Sequence, residues 1–548
     1  MESLHLSFNN VVNAGLFKGI HIDDSLSLSH LFYADDAIFV GDWNLSNLSI
    51  VVHVLKWFHL ASGLKINLHK SKLMGVGISQ DVVASVARSI GCATLHTPFN
   101  YLGIKVGGFM LKISFWDDVA AKLSSRLSKW KLRTLSIGGR LTLIKSVLSS
   151  LPLYYISSFK MPISVLKKME SIRMSFFNGA DYGVKRMSLI SWKRVLSSKK
   201  NGGLGISSFF AMNRALLFKW VWRFIVNGSS LWSRFIRAIH GIQGGLDNPL
   251  PFSKRTPWTD IVSEVRKLSN KGIDLLSHIK KNVANGETTS FWEETWLGDS
   301  PLKHAYPRLY SLELNKHISV ASKFSDGSLI ASFRRPPRGG VEADQLQQLI
   351  SDTSLVTLHN ANDRWTWRLD SSGVFSVKSV REFIDDSFLP KADSCTRWVK
   401  YVPIKINIFA WKVSLDKLPS RLNLSLCGLE IPSILCPICS VVVESSSHLF
   451  FACHLARQMM FKVARWWELE YQDFSSYEDC FLWLSNLRVT KRRKDVLEGV
   501  CYITWWVIWK FCNQVLFGSE LPRVDLLFGD IVKLSFTWCS NRCSLNFD

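Results

Sequence analysis

The sequence predicts a multidomain α+β chain with extensive helix, and three observations carry that prediction. Its 548 residues exceed what one hydrophobic core usually organises. Hydrophobic residues make up 47% and charged residues 20%, with 34 Phe and 22 Trp, a composition that favours packed over disordered structure. Short β-branched and aromatic runs are interspersed with longer segments of helical period, so strands and helices share the chain.

A formal charge of +23 fits a polyanionic partner, because neutralised phosphates release counterions. A merely basic soluble protein, or one touching anionic lipid, would carry the same charge. Met1-Glu2-Ser3-Leu4-His5 lacks the basic start and apolar core of a signal peptide. The most lipid-like run, Val500 to Trp509, is about half the ~20 residues that a membrane span needs, and Lys510 interrupts it. The expectation is an intracellular chain, nuclear or cytoplasmic, without a membrane segment. Eleven cysteines in such a chain point to reduced thiols or metal ligation rather than a disulfide framework.

Taken in order, residues 1–29 read as a helix end, a short strand at Leu16–Ile20 and a polar turn at Asp23-Asp24-Ser25. The run His30–Val40 then sets Asp35 and Asp36 among Leu, Phe, Tyr and Ile, which predicts a tight hairpin with both carboxylates at its turn. Buried carboxylates in such a run call for a cation. Ser46 is placed to cap a helix with apolar positions Leu48, Val51, Val52, Leu55 and Phe58, and Gly63 to end it. Leu64–Leu68 alternates as a half-buried strand and leads to Lys70.

Lys122, Arg126, Lys129 and Arg133 recur on one narrow helical face beside an apolar stripe of Leu123, Leu127 and Trp130. A solvated face explains such a row, and so does a helix that tracks a nucleic-acid backbone through phosphates. Gly138-Gly139 is read as a break before a second amphipathic helix with Leu141, Ile144, Val147, Leu148 and Leu151. From 236 to 360 the pattern loosens; Arg334–Gly340 reads as a basic extended linker, and Phe291, Trp292 and Trp296 as packing residues. Trp365, Trp367 and Leu369 alternate, Asp370–Gly373 supplies a turn, and Phe375 and Val377 resume the alternation, which predicts a hairpin.

Cys436, Cys439, His448 and Cys453 give the spacing C-x2-C-x8-H-x4-C. A close thiolate pair followed by an imidazole and a third thiolate suits a closed, structural tetrahedral zinc site. His454 is an alternate ligand, and Glu444 in the intervening loop would act as a base only were a ligand missing. Four unlinked core residues are the plainer alternative. The C-terminal stretch with Lys491-Arg492-Arg493-Lys494 reads as packed helix with a solvated basic turn.

Tyr33-Ala34-Asp35-Asp36, followed by Ser62-Gly63-Leu64-Lys65-Ile66-Asn67-Leu68-His69-Lys70-Ser71, resembles the palm of plant non-LTR (LINE-type) retrotransposon reverse transcriptases. Pro98–Gly103, Leu135–Arg140, Gly202–Ile206 and Asn213–Leu217 are similar to stretches that follow that palm. Trp398, Pro403, Lys405, Phe409-Ala410-Trp411, Leu418 and His448-Leu449-Phe450 resemble the reverse-transcriptase zinc-binding domain of the same elements.

The resemblance implies a partial palm of hairpin, helix and strand over 1–80, a helical thumb-like region over 81–235, and a variable linker region over 236–360. A zinc-binding domain over 361–460 and a helical C-terminal region over 461–548 complete the expected order. It implies RNA-directed DNA polymerase chemistry in which Asp35 ligates magnesium, Asp36 supports it and Lys70 lies near the leaving phosphates, with RNA or DNA and dNTPs as partners. Two magnesium ions held by carboxylates carry such nucleotidyl transfer. The family's earlier Asp strand and its Gln-Gly-Asp-Pro-Leu-Ser-Pro-type loop have no counterpart before the hairpin. The expectation is therefore a truncated polymerase, inactive alone, with a non-catalytic zinc-containing nucleic-acid-binding protein as the alternative.

Overall fold

The computed structural model describes residues 2–24, 26–108, 110–128, 135–148, 152–180, 187–247, 255–325 and 327–542. The chain is α+β and about half helical, and the sheets among the described residues are two-stranded. It divides into two compact units, each drawn from three stretches of sequence: Met1–Phe115, Tyr154–Met161 and Asn213–Val380 in one, Trp116–Leu153, Pro162–Met212 and Arg381–Asp548 in the other.

In the first unit the helix Glu2–Asn13 buries Leu4 and Phe8 in a cluster with Phe17, Val54 and Phe58. Ile20–Asp23 and Leu26–Leu28 form one antiparallel pair, and His30–Tyr33 with Asp36–Phe39 another, in which Tyr33 faces Asp36. The tight hairpin expected around the carboxylates is thus present, with Ala34 and Asp35 as its two-residue turn. Ala34 has φ 52°, the positive value that primed hairpin turns require at their first central position.

The next helix runs Leu45–Ser62 and is capped by Asn44, not Ser46: the Asn44 side chain accepts from the Ser46 backbone N–H. Gly63 ends it at φ 74° as expected. Buried Asn47 anchors its first turn, accepting from the Lys18 N–H at 3.0 Å and donating to the Lys18 carbonyl at 2.9 Å.

Leu64–Leu68 is not a strand. It is irregular chain entering a turn, and the short strand that follows, Lys72–Leu73, pairs in parallel with Ala93–Thr94. Ile66 is half-buried while Leu64, Lys65 and Asn67 are exposed, so the alternation reports one-sided burial without a pairing strand.

Asn213, fully buried, accepts from the Met161 N–H and donates to the carbonyls of Ile156 and Phe159. Next to it Arg214 donates twice to Glu264, which also pairs with Lys160. Phe291, Trp292 and Trp296 are buried in a separate cluster with Leu309, Val320 and Leu349, which makes them packing residues. Arg334–Gly340 is irregular, with bends at 334–335 and a turn at 339–340; Arg335 and the Arg338 N–H hold Glu342 at the start of the helix Val341–Thr353.

The hairpin expected over 365–377 does not form. Arg364–Trp367 pairs with Ile279–Asn282 instead, and Val377 begins the helix Val377–Phe388, whose first turn Ser376 caps by accepting from the Ser379 N–H at 3.1 Å. Aromatic alternation marked the strand correctly, but period says nothing about which strand lies beside it.

In the second unit Leu123 is buried on the helix Asp117–Ser128. Gly138 and Gly139 do not break a helix; they lie in the first turn of Ile137–Leu143, capped by Ser136. Gly138 is there for proximity, since a Cβ on it would stand 2.8 Å from the Lys405 backbone nitrogen. Leu141 and Ile144 are buried as expected of the second amphipathic helix.

The helix Lys491–Phe517, 27 residues long, runs through the main core of this unit. Val500 to Trp509, the most lipid-like run, packs there against Phe409, Phe451 and Phe481. No described helix is long and apolar enough to cross a membrane.

Candidate metal centre

Cys436 lies at the end of a short extended segment, where Leu435 and Val443 form an isolated antiparallel bridge. The Cys436 N–H donates to the Val442 carbonyl at 2.8 Å, and the Ser440 N–H donates back to the Cys436 carbonyl at 2.9 Å. Ser440 takes φ 55° and turns the chain back after Cys439, so that Val442 returns to the side of Cys436. His448 opens a single wide helical turn, His448–Ala452, and Cys453 stands just before the helix His454–Trp466, in the N-cap position. The Cys453 N–H donates to the His448 carbonyl at 2.7 Å and fixes the second ligand pair.

One ligand atom from each of Cys436, Cys439, His448 and Cys453 can be chosen so that all four lie within 4.8 Å of one another. Sulfurs about 2.3 Å from a tetrahedral zinc stand roughly 3.8 Å apart, so the set closes on such an ion with small adjustments. The Cys439 sulfur is 3.3 Å from His448 Nε2. Cys436 and Cys453 are buried, Cys439 is half-buried, and no carboxylate belongs to the group.

The Cys436 thiol shares a hydrogen bond with Cys453; this bond, with burial added, raises Cys436, and the same bond lowers Cys453 against the effect of burial. Burial, then the charges of His454 and Arg457, hold His448 below the ordinary imidazole range, in the neutral form that ligates metals. Three thiolates and an imidazole would hold zinc without an open position for water, and the bound ion would cross-link the turn to the helix.

The neighbouring groups take other roles. His454 is exposed and stands outside the cluster. Glu444 is buried, with Arg421 Nε 3.6 Å from its Oε2, and burial pushes its carboxyl up to about 7. Cys512, on the long helix, was invisible as a neighbour in the sequence; it is buried and close enough to Cys436 and Glu444 for their charges to add to burial in raising its thiol.

Residues 375–459 match the family model described as zinc-binding in reverse transcriptase. That segment of the chain is reverse-transcriptase-related. The chain is 27% identical over 424 residues, 75% of its own length, to a protein of Arabidopsis thaliana whose name assigns it provisionally to ribonuclease H. The alignment spans 65% of that relative's length. It is also 25% identical over 152 residues, 27% of this chain, to an uncharacterised mitochondrial protein of the same plant, 94% of which is covered. The matched segment contains all four candidate ligands, and the family's zinc-binding description and this Cys/His cluster together support zinc as the ion.

The other residues singled out in the sequence lie elsewhere. Asp35 and Asp36 are both exposed, Asp35 in the hairpin turn and Asp36 at the head of its second strand, so burial makes no demand for a cation there. Among the described residues no third His, Cys, Asp or Glu joins them in a metal-holding group, and the pair alone does not make a two-ion site. Lys70 is exposed in the turn after Asn67, whose side chain accepts from the Lys70 N–H at 3.2 Å. Lys122 and Arg126 are exposed one turn apart on the helix Asp117–Ser128, while Lys129 and Arg133 lie outside the described residues.

Proposed function

We propose that this chain is the C-terminal portion of an RNA-directed DNA polymerase of a non-LTR retrotransposon of the plant type, and that it binds nucleic acid. The observation that carries the reading is the Cys436, Cys439, His448, Cys453 cluster inside a segment matching the reverse-transcriptase zinc-binding family. In this reading zinc is structural, the Tyr33-Ala34-Asp35-Asp36 hairpin is a palm element, and Lys122 and Arg126 belong to a basic helix that follows a phosphate backbone. The ribonuclease H name of a relative fits a retroelement origin and nucleic acid as the ligand.

Asp35 and Asp36 would ligate magnesium and Lys70 would meet the leaving phosphates only with a further carboxylate brought to the pair. Polymerisation by this chain is therefore expected to be absent or slower by orders of magnitude than in a protein supplying that group. The test is primer extension with the purified chain, magnesium and dNTPs on an RNA template. Robust extension abolished by Asp35→Ala would refute inactivity while supporting the palm assignment; extension insensitive to Asp35→Ala would remove both. The same preparation reports on the binding reading, since affinity for an oligonucleotide should fall steeply with added salt.

A further inference from the structure

A cavity of about 190 Å3 opens in the second unit, lined by Arg140, Asn178, Ser188, Lys412 and Lys417 among others. Three of these side chains are cations, and no Asp or Glu lines the cavity among the described residues. Arg140 comes from the helix Ile137–Leu143, Asn178 follows the helix Ile163–Phe177, and Lys412 comes from Ile404–Ser414, so three separate helical segments deliver the polar groups.

The arrangement is built into the backbone. Gly179 has φ 71°, and a Cβ on it would fall 1.8 Å from Arg140 Nη1, so the guanidinium occupies space that only a glycine leaves. Burial first, and Arg140 second, lower the affinity of the Lys412 ammonium for its proton. A half-buried lysine set beside an arginine costs stability, and that cost is offset when an anion enters between them.

The size narrows the ligand. Small-molecule pockets usually run about 300–1,000 Å3, so this space suits one anionic group rather than a whole nucleotide. An arginine fork, a lysine point charge and an amide that can donate match the oxygens of a phosphate.

We propose that the Arg140, Lys412 and Lys417 cavity is a phosphate site that takes one phosphate of a nucleic-acid strand. It extends the nucleic-acid-binding reading above, and its lining shares no residue with the hairpin carboxylates or the zinc cluster. Free inorganic phosphate presents the same oxygens, so the experiment separates the two sources.

The full-length, zinc-loaded chain is unfolded thermally in potassium phosphate and in potassium chloride of equal ionic strength. Its binding to a single-stranded oligonucleotide is then followed across a chloride series. Phosphate should raise the midpoint beyond chloride, by ligand linkage, and Lys412→Gln should abolish that rise. Without phosphate this variant should melt at or above the wild-type temperature, having lost a poorly solvated charge, which guards against a folding artefact. Lys417→Gln, at an exposed position, should diminish the same rise. On the oligonucleotide, Lys412→Gln should reduce the slope of log affinity against log salt by about 0.7, the loss of one single-strand phosphate contact.

No phosphate-specific rise, or an equal rise in wild type and Lys412→Gln, overturns the site. A Lys412-dependent rise with an unchanged salt slope overturns the nucleic-acid assignment and leaves a free-phosphate site. Should the wild type bind no oligonucleotide at all, the broader reading fails, while the phosphate arm still judges the cavity.

Discussion

Asp385 is a carboxylate placed where water barely reaches it. It accepts from the Ser208 hydroxyl at 2.5 Å and the Ser208 N–H at 3.3 Å, and burial outweighs these bonds, raising its carboxyl to about 6. The folded state therefore holds a proton that the unfolded chain, near 3.8, releases earlier. Between about pH 4 and 6 the unfolded state binds fewer protons, so stability must fall as pH rises, by up to about 3 kcal/mol. Asp385→Asn should flatten that slope when thermal midpoints of wild type and variant are compared across the window; parallel curves would refute the assignment. Legibility at this scale depended on local spacing. Cysteines three residues apart announce a shared ion because a tight turn is all that brings them together. Cys512, nearly sixty residues past Cys453, carries no such signal, and neither does the chance that makes Asp385 a neighbour of Ser208.

Elements were read well where one face is buried and poorly where a partner had to be named. The helix Leu45–Ser62 was legible in its apolar period and in Gly63, because both are properties of the segment itself. The strand Arg364–Trp367 was legible too, but its partner Ile279–Asn282 lies more than eighty residues earlier and leaves no trace in the strand's own pattern. Gly138-Gly139 looked like punctuation because glycine is costly in helices, and the approach of another backbone was the missing reason. The two glycines give predictions of opposite sign. Gly138→Ala should destabilise by about 1–3 kcal/mol, since its Cβ would press on the Lys405 nitrogen. Gly139→Ala should be neutral or stabilise by up to about 1 kcal/mol, its nearest neighbour being a Leu135 methyl at 3.5 Å. Denaturant midpoints of the two variants decide it; equal losses would mean that close approach is not what selects glycine at 138.

At the scale of the molecule, the two compact units interleave along the sequence, and the helix Phe209–Val226 gives its first turn to one and the rest to the other. Length and hydrophobic content forecast more than one core, and short apolar runs among segments of helical period forecast α+β, but such interleaving is decided by long-range contacts that no local window contains. The second unit also holds the candidate metal centre within an extensive apolar core, whose members include Cys436, Cys453, Phe450, Val500 and Ile508. The purified chain should carry close to one zinc by elemental analysis. Cys436→Ser should lose most of it and melt at a lower temperature, and a variant that kept both zinc and midpoint would remove Cys436 from the ligand set. Hydrogen exchange along Lys491–Phe517 would then show how far the loss spreads.

Cys453 has two positions at once: it is a candidate ligand, and it stands at the head of the helix His454–Trp466, which packs into that same core. Metal affinity and core packing are then one linked equilibrium, and each must report on the other. Shaving a single methylene from Ile508, on a different helix, costs about 0.5–1.5 kcal/mol, and part of that cost should surface as faster transfer of zinc to a chelating dye. The centre would serve as an internal strain gauge, its leak rate registering damage to side chains that never touch the ion. Unchanged zinc transfer in a measurably destabilised Ile508→Val chain would show that the two are insulated from each other.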